Sequence, residues 1–398
     1  MTNDEFILLH REDDVRTLAL RNPPQGVDLR WCLGQIEGWQ KAVQKLPRWA
    51  GVDGLWFPPS LSLQQCSSQQ TAAYKSELVR RQLPLSEERD RFVDLTGGYG
   101  IDFCDLAPLF SSAHYVERSE ELCSIARHNF PLLGLVNTQV HCQEASAFLQ
   151  DTANVRYSLA YLDPARRDEA GRKTVAISDC TPDLSLLQHR LLQQTHIVLC
   201  KLSPMLDITA ALSQLHHVRE IHSVALRGEC KELLLVMDGS FQEHPSLFAV
   251  NLESLDPVVS FRMEEIAAAK VSLALPSSGG YLYEPNAAVL KAGMQDVVAA
   301  SLGLRKLHPM SNLFLSPLPV ERFPGRSFRI DSCCGFGKRE LRKTLGSLQC
   351  ANITVRNFPA SVAELRRRLR LADGGDVYLF ATTLQDDSHA LIRCSKTA

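Results

Sequence analysis

Nine consecutive residues, Asp94-Leu-Thr-Gly-Gly-Tyr-Gly-Ile-Asp102, carry the strongest chemical signal in the chain. They follow the strand-like run Arg91-Phe-Val and precede a helical pattern, so they read as a strand-to-helix turn. Glycines at 97, 98 and 100 let the backbone approach a ligand closely and tolerate positive φ. A dinucleotide fingerprint requires G-x-G-x-x-G. Gly98-x-Gly100 supplies its first half, but Phe103 stands at the third position. That departure argues against NAD or FAD but not against S-adenosylmethionine, which has no pyrophosphate to bring onto the helix. Asp94, Thr96, Gly97, Gly98 and Gly100 are therefore candidate cofactor-binding residues. Glu117 closes the next apolar run, where a carboxylate can accept both hydrogen bonds of a ribose diol. Glu144-Ala145 closes a third, with an acid for the exocyclic amine of adenine and a small residue that leaves room for the ring. Either acid alone is compatible with a solvated strand end; the glycine loop and both acids at successive strand ends together favour a binding edge.

Asp163-Pro-Ala-Arg-Arg167 follows the apolar run Leu159-Ala-Tyr-Leu, at the carboxyl edge where open α/β sheets bind ligands. Enzymes that methylate amines place a D/N-P-P-aromatic tetrapeptide here. Its side chain and a backbone carbonyl accept hydrogen bonds from the target amine and aim the nitrogen lone pair at the methyl group. Asp163 and Pro164 match that pattern and are the candidate catalytic residues; Ala165 and Arg166 depart from it. Arg166 or Arg167 could stack on a base or bind phosphate in place of the aromatic ring, and a plain turn with exposed arginines is the alternative. Lys201, near the end of the fifth apolar run, adds a cation beside this pocket, although a strand-end lysine needs no function. His196, His216, His217 and His222 show no metal-ligand spacing, and no G-x-S-x-G, H-E-x-x-H or P-loop is present.

These residues need elements to hold them. Strand-like runs at RFVDL, SAHYVE, TQVHC, YSLAYL and HIVLCKL alternate with helical stretches, among them SEELCSIARHNF, with Ser119 as N-cap and Glu120 and Glu121 in its first turn. The alternation predicts an α/β, Rossmann-like doubly wound parallel sheet. REIHSVALRGECKELLLVMDG then predicts two strands turning at Gly228, so the sheet ends in an antiparallel hairpin, as class I methyltransferases do and dehydrogenases do not. Upstream, Leu33, Ile36, Trp39, Val43 and Leu46 give one apolar helical face, and Ser68 or Thr71 caps a second helix ending before Pro84. Downstream, PSSGG reads as a flexible joint, NAAVLKAGMQDVVAASLG as one helix, and ITVRNF, SVAELRRRLRLA and VYLFATTL as strand, helix and strand of a small α+β module.

The chain has 398 residues, enough for two or three domains. Its 45% hydrophobic and 22% charged content excludes a disordered chain. A net charge of −2 excludes a uniformly basic nucleic-acid coat but not a basic patch. The acidic N-terminus lacks signal-peptide character and no apolar run is long enough to span a bilayer, so a cytoplasmic protein with no membrane partner is expected. Twelve scattered cysteines form no C-x-x-C pair, and no metal is expected.

Taken together, DLTGGYGIDF, YVER, YLDPARRD and KLSP resemble the bacterial class I S-adenosylmethionine-dependent methyltransferases that carry a C-terminal THUMP-like domain, relatives of the trimethylguanosine synthases. YEPNAAVLKAG, KLHPMSNLF, FPGRSFRI and the tail from VRNFPASV to GGDVYLFATTL resemble that domain. The resemblance implies a helical cap region over 1–85, a methyltransferase domain over 86–240, a connector and ferredoxin-like region over 241–322 and a THUMP-like domain over 323–398. It implies S-adenosyl-L-methionine as cofactor and structured RNA as partner. LSLQQCSSQQTAAYKSELV resembles the cap segment of these enzymes, which makes Gln65, Ser67, Ser68 and Lys75 candidate cofactor-binding residues. The departure at Ala165 and Arg166 leaves the accepting atom open. Between 322 and 370 twelve arginines and lysines face three acids, the footprint of phosphate contact, and Arg366, Arg367 and Arg368 are candidate substrate-binding residues. The expected function is methylation of an RNA base nitrogen; the alternatives are a protein or small-molecule methyltransferase and a non-catalytic RNA-binding scaffold.

Overall fold

The computed structural model describes residues 1–85, 89–166 and 177–397. The chain divides into two compact units, one formed by Met1–Glu220 with Leu233–Glu243 and the other by Ile221–Glu232 with His244–Ala398.

In the first unit, helices α1 (Leu29–Lys45), α2 (Ser60–Gln65) and α3 (Gln69–Gln82) precede the sheet. The α1 face differs from the periodicity reading. Val43 is 44% exposed, and the buried stripe is Cys32, Gln35, Ile36, Gly38 and Ala42. Gln35 tolerates burial because its amide is satisfied twice, donating to the Phe57 carbonyl (3.0 Å) and accepting from the Phe57 N–H (2.7 Å). Of the two capping residues proposed for α3, Ser68 does the work, accepting from the Thr71 N–H at 3.2 Å.

The sheet strands are β1 (Arg91–Asp94), β2 (Ser112–Glu117), β3 (Thr138–Cys142), β4 (Tyr157–Leu162), β5 (Thr195–Leu202), β6 (Val218–Leu226) and β7 (Glu229–Met237). Helices α4 (Ile101–Leu106), α5 (Glu120–Leu132), α6 (Ala145–Asp151) and α7 (Leu184–Gln194) lie between them in the chain. Their order is β3-β2-β1-β4-β5-β7-β6, seven strands of a nine-stranded sheet. The first five strands pair in parallel, and β7 joins antiparallel to β5, with Val198 opposite Met237. The expected antiparallel hairpin is present, with two further strands beyond it in the same sheet. Arg227 and Gly228 at its turn both have positive φ (55° and 73°), the conformation that suits the twist of a two-residue hairpin. β1, β4 and β5 are buried along nearly their whole length, as strands covered on both faces must be.

In the second unit, β8 (Ser246–Asn251) and β9 (Val258–Arg262) pair antiparallel. Then follow β10 (Tyr281–Pro285), helices α8 (Ala287–Lys291) and α9 (Gln295–Ser301), β11 (Arg305–His308), β12 (Ser311–Ser316), β13 (Gly325–Cys334), α10 (Lys338–Leu345), β14 (Asn352–Arg356), α11 (Val362–Leu369), β15 (Val377–Thr383) and β16 (His389–Lys396). One seven-stranded sheet, β11-β12-β10-β13-β16-β15-β14, runs through them. Two expectations fail here. The single helix over 286–303 is two, because Gly293 takes φ 68° and ends the first. PSSGG is no loose joint: Ser278 Oγ donates to the Asp331 carbonyl, and Gly279 and Gly280 exchange backbone hydrogen bonds with Ile330 at 2.8 Å. None of the twelve cysteines is in a disulfide.

Candidate functional site

The glycine loop owes its shape to the aromatic residues beneath it. Phe103, at the position of the missing third glycine, is fully buried and stacks between Phe92 (5.6 Å) and Phe130 (4.9 Å). A buried ring thus fills the place where a dinucleotide fold uses glycine for close helix–strand packing. Tyr115, also fully buried, lies directly under Gly97. A Cβ at 97 would come within 2.2 Å of its ring, and its hydroxyl donates to the Gly98 carbonyl. Gly98 and Gly100 have φ of 55° and 84°.

The loop forms one wall of a cavity of about 260 Å³ at the carboxyl edge of the sheet. Of the sequence candidates, Gln65, Ser67, Asp94, Thr96, Gly97, Gly98, Gly100, Glu117, Glu144, Ala145 and Asp163 line it. Glu117 is held by two backbone donors, the N–H groups of Gly98 (3.0 Å) and Ser119 (2.9 Å). Its two oxygens keep further lone pairs for a ligand. Glu144 stands at the start of α6, 3.9 Å from the Arg118 guanidinium. Asp94 is buried; burial pushes its carboxyl well above the usual range, against the pull of the Thr96 N–H at 3.0 Å.

Asp163 lies just beyond β4, and its side chain is 37% exposed, accessible from the cavity mouth. The Asp163 N–H donates to Thr96 Oγ1 at 2.6 Å, which ties the two strand ends together. Lys201 Nζ donates to Asp163 Oδ2. Lys201 is thus a partner of Asp163 rather than a cavity-lining cation. Pro164 is buried behind Asp163. Ala165–Arg166 forms a two-residue strand against Cys180–Thr181; Arg167 lies outside the described residues.

The other candidates sit elsewhere. Ser68 Oγ is engaged as the α3 cap and does not line the cavity. Lys75 is fully buried behind the wall, 3.1 Å from Asp102. In the second unit, Arg366 donates to the Ala351 carbonyl (3.2 Å) and pairs with Asp373, so its guanidinium is committed locally. Arg368 lies over the Phe336 ring at 5.3 Å, while Arg367 is exposed. Arg326 and Arg356 both bind the buried Glu284. Part of the basic stretch is therefore spent on internal pairing.

Sequence reasoning missed several lining residues: Arg118, Gln143, Tyr161, Thr181, Pro182 and, above all, Asp102. Asp102 belongs to the quoted loop motif, and its place in the first turn of the following helix was the available signal. Thr181 and Pro182 arrive through a segment without any recognisable pattern.

The lining fits S-adenosylmethionine. Among the described lining residues the carboxylates Asp102, Glu117, Glu144 and Asp163 stand against one cation, Arg118. That is a suitable field for a ligand bearing a sulfonium and an ammonium group. Glycines 97, 98 and 100 leave the loop backbone bare. Among the described residues no group of three His, Cys, Asp or Glu side chains could hold a metal ion, and no helix is long and apolar enough to cross a membrane.

Comparisons with known proteins agree with this chemistry. Residues 325–396 match the THUMP domain-like family and 281–324 a ferredoxin-like domain family. An uncharacterized S-adenosylmethionine-dependent methyltransferase of Mycobacterium tuberculosis H37Rv is 27% identical over 284 residues, covering 70% of this chain and 73% of the relative. A crystal structure of a Porphyromonas gingivalis W83 protein assigned as a methyltransferase superposes with a TM-score of 0.88 at 37% identity, covering 100% of this chain and 98% of that one. The chain belongs to the S-adenosylmethionine-dependent methyltransferases that carry a C-terminal THUMP-like domain.

Proposed function

We propose that this methyltransferase acts on a base nitrogen of RNA. The observation that carries the reading is Asp163: an accessible carboxylate at the β4 edge of the donor cavity, fixed by Thr96 through its backbone and by Lys201 through its side chain. S-adenosylmethionine, when bound, supplies an electrophilic methyl group. The glycine loop, Asp94, Glu117, Glu144 and Ala145 hold this donor, with Gln65 on the cap side and Ser67 engaged there with Asp102. Asp163 accepts a hydrogen bond from the target amine and the carbonyl beside Pro164 accepts a second. Two acceptors orient the amine so that its lone pair faces the donor, a gain of positioning rather than of covalent catalysis. Lys201 holds the carboxylate in that orientation.

RNA is the substrate class that the second unit favours. Lys338, Arg339, Arg342 and Lys343 on α10 and Arg367 at α11 are exposed, and both helices pack on one apolar cluster around Leu365 and Leu379. Such a face suits a phosphodiester backbone. The test is mass spectrometry of modified nucleosides in RNA from cells lacking and containing the protein. Loss of one methylated nucleoside, restored in vitro by purified enzyme and S-adenosylmethionine, supports the reading. An unchanged nucleoside profile, with methyl transfer found on a protein fraction instead, refutes it.

A further inference from the structure

Asp102 joins three walls of the cavity through one carboxylate. It lies in the first turn of α4, directly behind the glycine loop. Its Oδ2 accepts from Ser67 Oγ and from the Tyr161 hydroxyl, both at 2.7 Å. Lys75 Nζ lies 3.1 Å from Oδ1 and donates to Ser67 Oγ (3.1 Å) and the Thr71 carbonyl (3.4 Å). Ser67 and Lys75 belong to the cap segment, Asp102 to the donor loop's helix, and Tyr161 to β4, two residues before Asp163.

All four side chains are buried. A buried ion pair is an inefficient source of stability, because desolvation consumes most of the Coulomb gain, and an apolar set of similar volume often does as well. What such a network specifies is one arrangement. Here Ser67 and Lys75 fix the cap segment, and Tyr161 fixes β4, against one carboxylate.

We propose that Asp102 is a positioning residue that couples the cap segment, residues 60–82, to the β4 edge carrying Asp163, so that donor binding and acceptor alignment depend on a group at their junction. The proposal rests on the donor-cavity reading given above. In it, Ser67 and Tyr161 act through Asp102 and not independently.

The test uses the full chain in two arms. In the first, without donor, amide hydrogen exchange is compared between the parent and Tyr161→Phe. Loss of one charge-assisted hydrogen bond on β4 should speed exchange in Gln69–Gln82 roughly tenfold while leaving β2 unchanged. Unaltered exchange in Gln69–Gln82 overturns the coupling. A uniform rise across all strands also overturns it, since that is general destabilisation. In the second arm, calorimetry with S-adenosylmethionine follows Ser67→Ala, Tyr161→Phe and their combination. The combined loss of affinity should be smaller than the product of the single losses. Both effects should vanish in an Asp102→Asn, Lys75→Met background, where no lone ammonium is left buried. Multiplicative losses in both backgrounds refute the hub. If the parent binds no S-adenosylmethionine, the donor-cavity reading falls, and the exchange arm still decides the coupling.

Discussion

Lys75→Met isolates the electrostatics of this junction. Methionine keeps most of the stem's volume but removes the only ammonium within ion-pair distance of Asp102 among the described residues. The parent carboxyl is subject first to burial, which raises its pKa; Lys75, then Lys201, then the hydroxyls of Tyr161 and Ser67 outweigh that and hold it below the usual range. Its stabilising contribution is therefore present above the unfolded pKa and fades as pH falls through the folded one. In the variant the balance reverses, and burial pushes the carboxyl up. The folded variant can escape a stranded charge by taking a proton. Neutralising a carboxyl of ordinary pKa costs about 4 kcal/mol at pH 7, and this sets the ceiling on the loss. It agrees with the roughly 3–5 kcal/mol found when one partner of a buried pair is removed. The expected loss is thus about 3–4 kcal/mol at pH 7, shrinking by about 1.4 kcal/mol for each pH unit of acidification. Urea unfolding followed by tryptophan fluorescence is well placed to read it, because all four tryptophans (Trp31, Trp39, Trp49 and Trp56) lie in the first unit. A loss below about 1 kcal/mol, or a gap between parent and variant that does not change with pH, would refute the reasoning.

Asp163→Ala should leave S-adenosylmethionine affinity within about twofold by calorimetry and lower methyl transfer by roughly 10²–10³-fold, the range for loss of a positioned group. Gly97→Ala should abolish measurable donor binding and cost about 1–3 kcal/mol in urea unfolding, since the new methyl meets the fully buried Tyr115 ring at 2.2 Å. His114 has its pKa lowered to about 4 by burial, with His141 and Arg91 adding to it, so the unfolded chain binds more protons between about pH 6.5 and 4. Stability should fall as pH drops through that window, and His114→Gln should flatten the slope in pH-dependent urea titrations. Arg339, Arg342 and Lys343 changed together to Ala should reduce the salt slope of RNA binding in filter assays by about two to three units, with donor affinity unaltered.

How much of this was legible in sequence follows from how local each signal was. The alternation of apolar strands with capped helices, the Ser119 cap and the turn at Gly228 depend on neighbours in the chain, and the sheet came out as its periodicity implied. Glu117 and Asp163 were readable because their positions at strand ends follow from the strands themselves. Arg366 was less so: its partner Asp373 is near in sequence, but only the fold turns the guanidinium toward Ala351. The Lys201–Asp163 bond and the Lys75–Asp102 pair join residues 38 and 27 positions apart. No spacing rule connects such pairs. PSSGG misled for a related reason: composition described its preference, while the Gly279 and Gly280 hydrogen bonds with Ile330 decided its surroundings.

The division of the chain at Glu220, Glu232 and Glu243 has a consequence for how such a protein can be taken apart or assembled. The hairpin of β6 and β7 begins and ends in the first unit, yet its middle, Ile221–Glu232, belongs to the second, where His222 stacks on Phe248 at 4.4 Å and Ser223 donates to the Ala288 carbonyl at 2.7 Å. The backbone passes between the units three times. No single scission frees either one whole, and a chain stopped near Gly239 would leave the buried Val224 and Ala225 without the partners that cover them. Substitutions in the hairpin are therefore answerable to both units, since its ends belong to the first and its middle to the second.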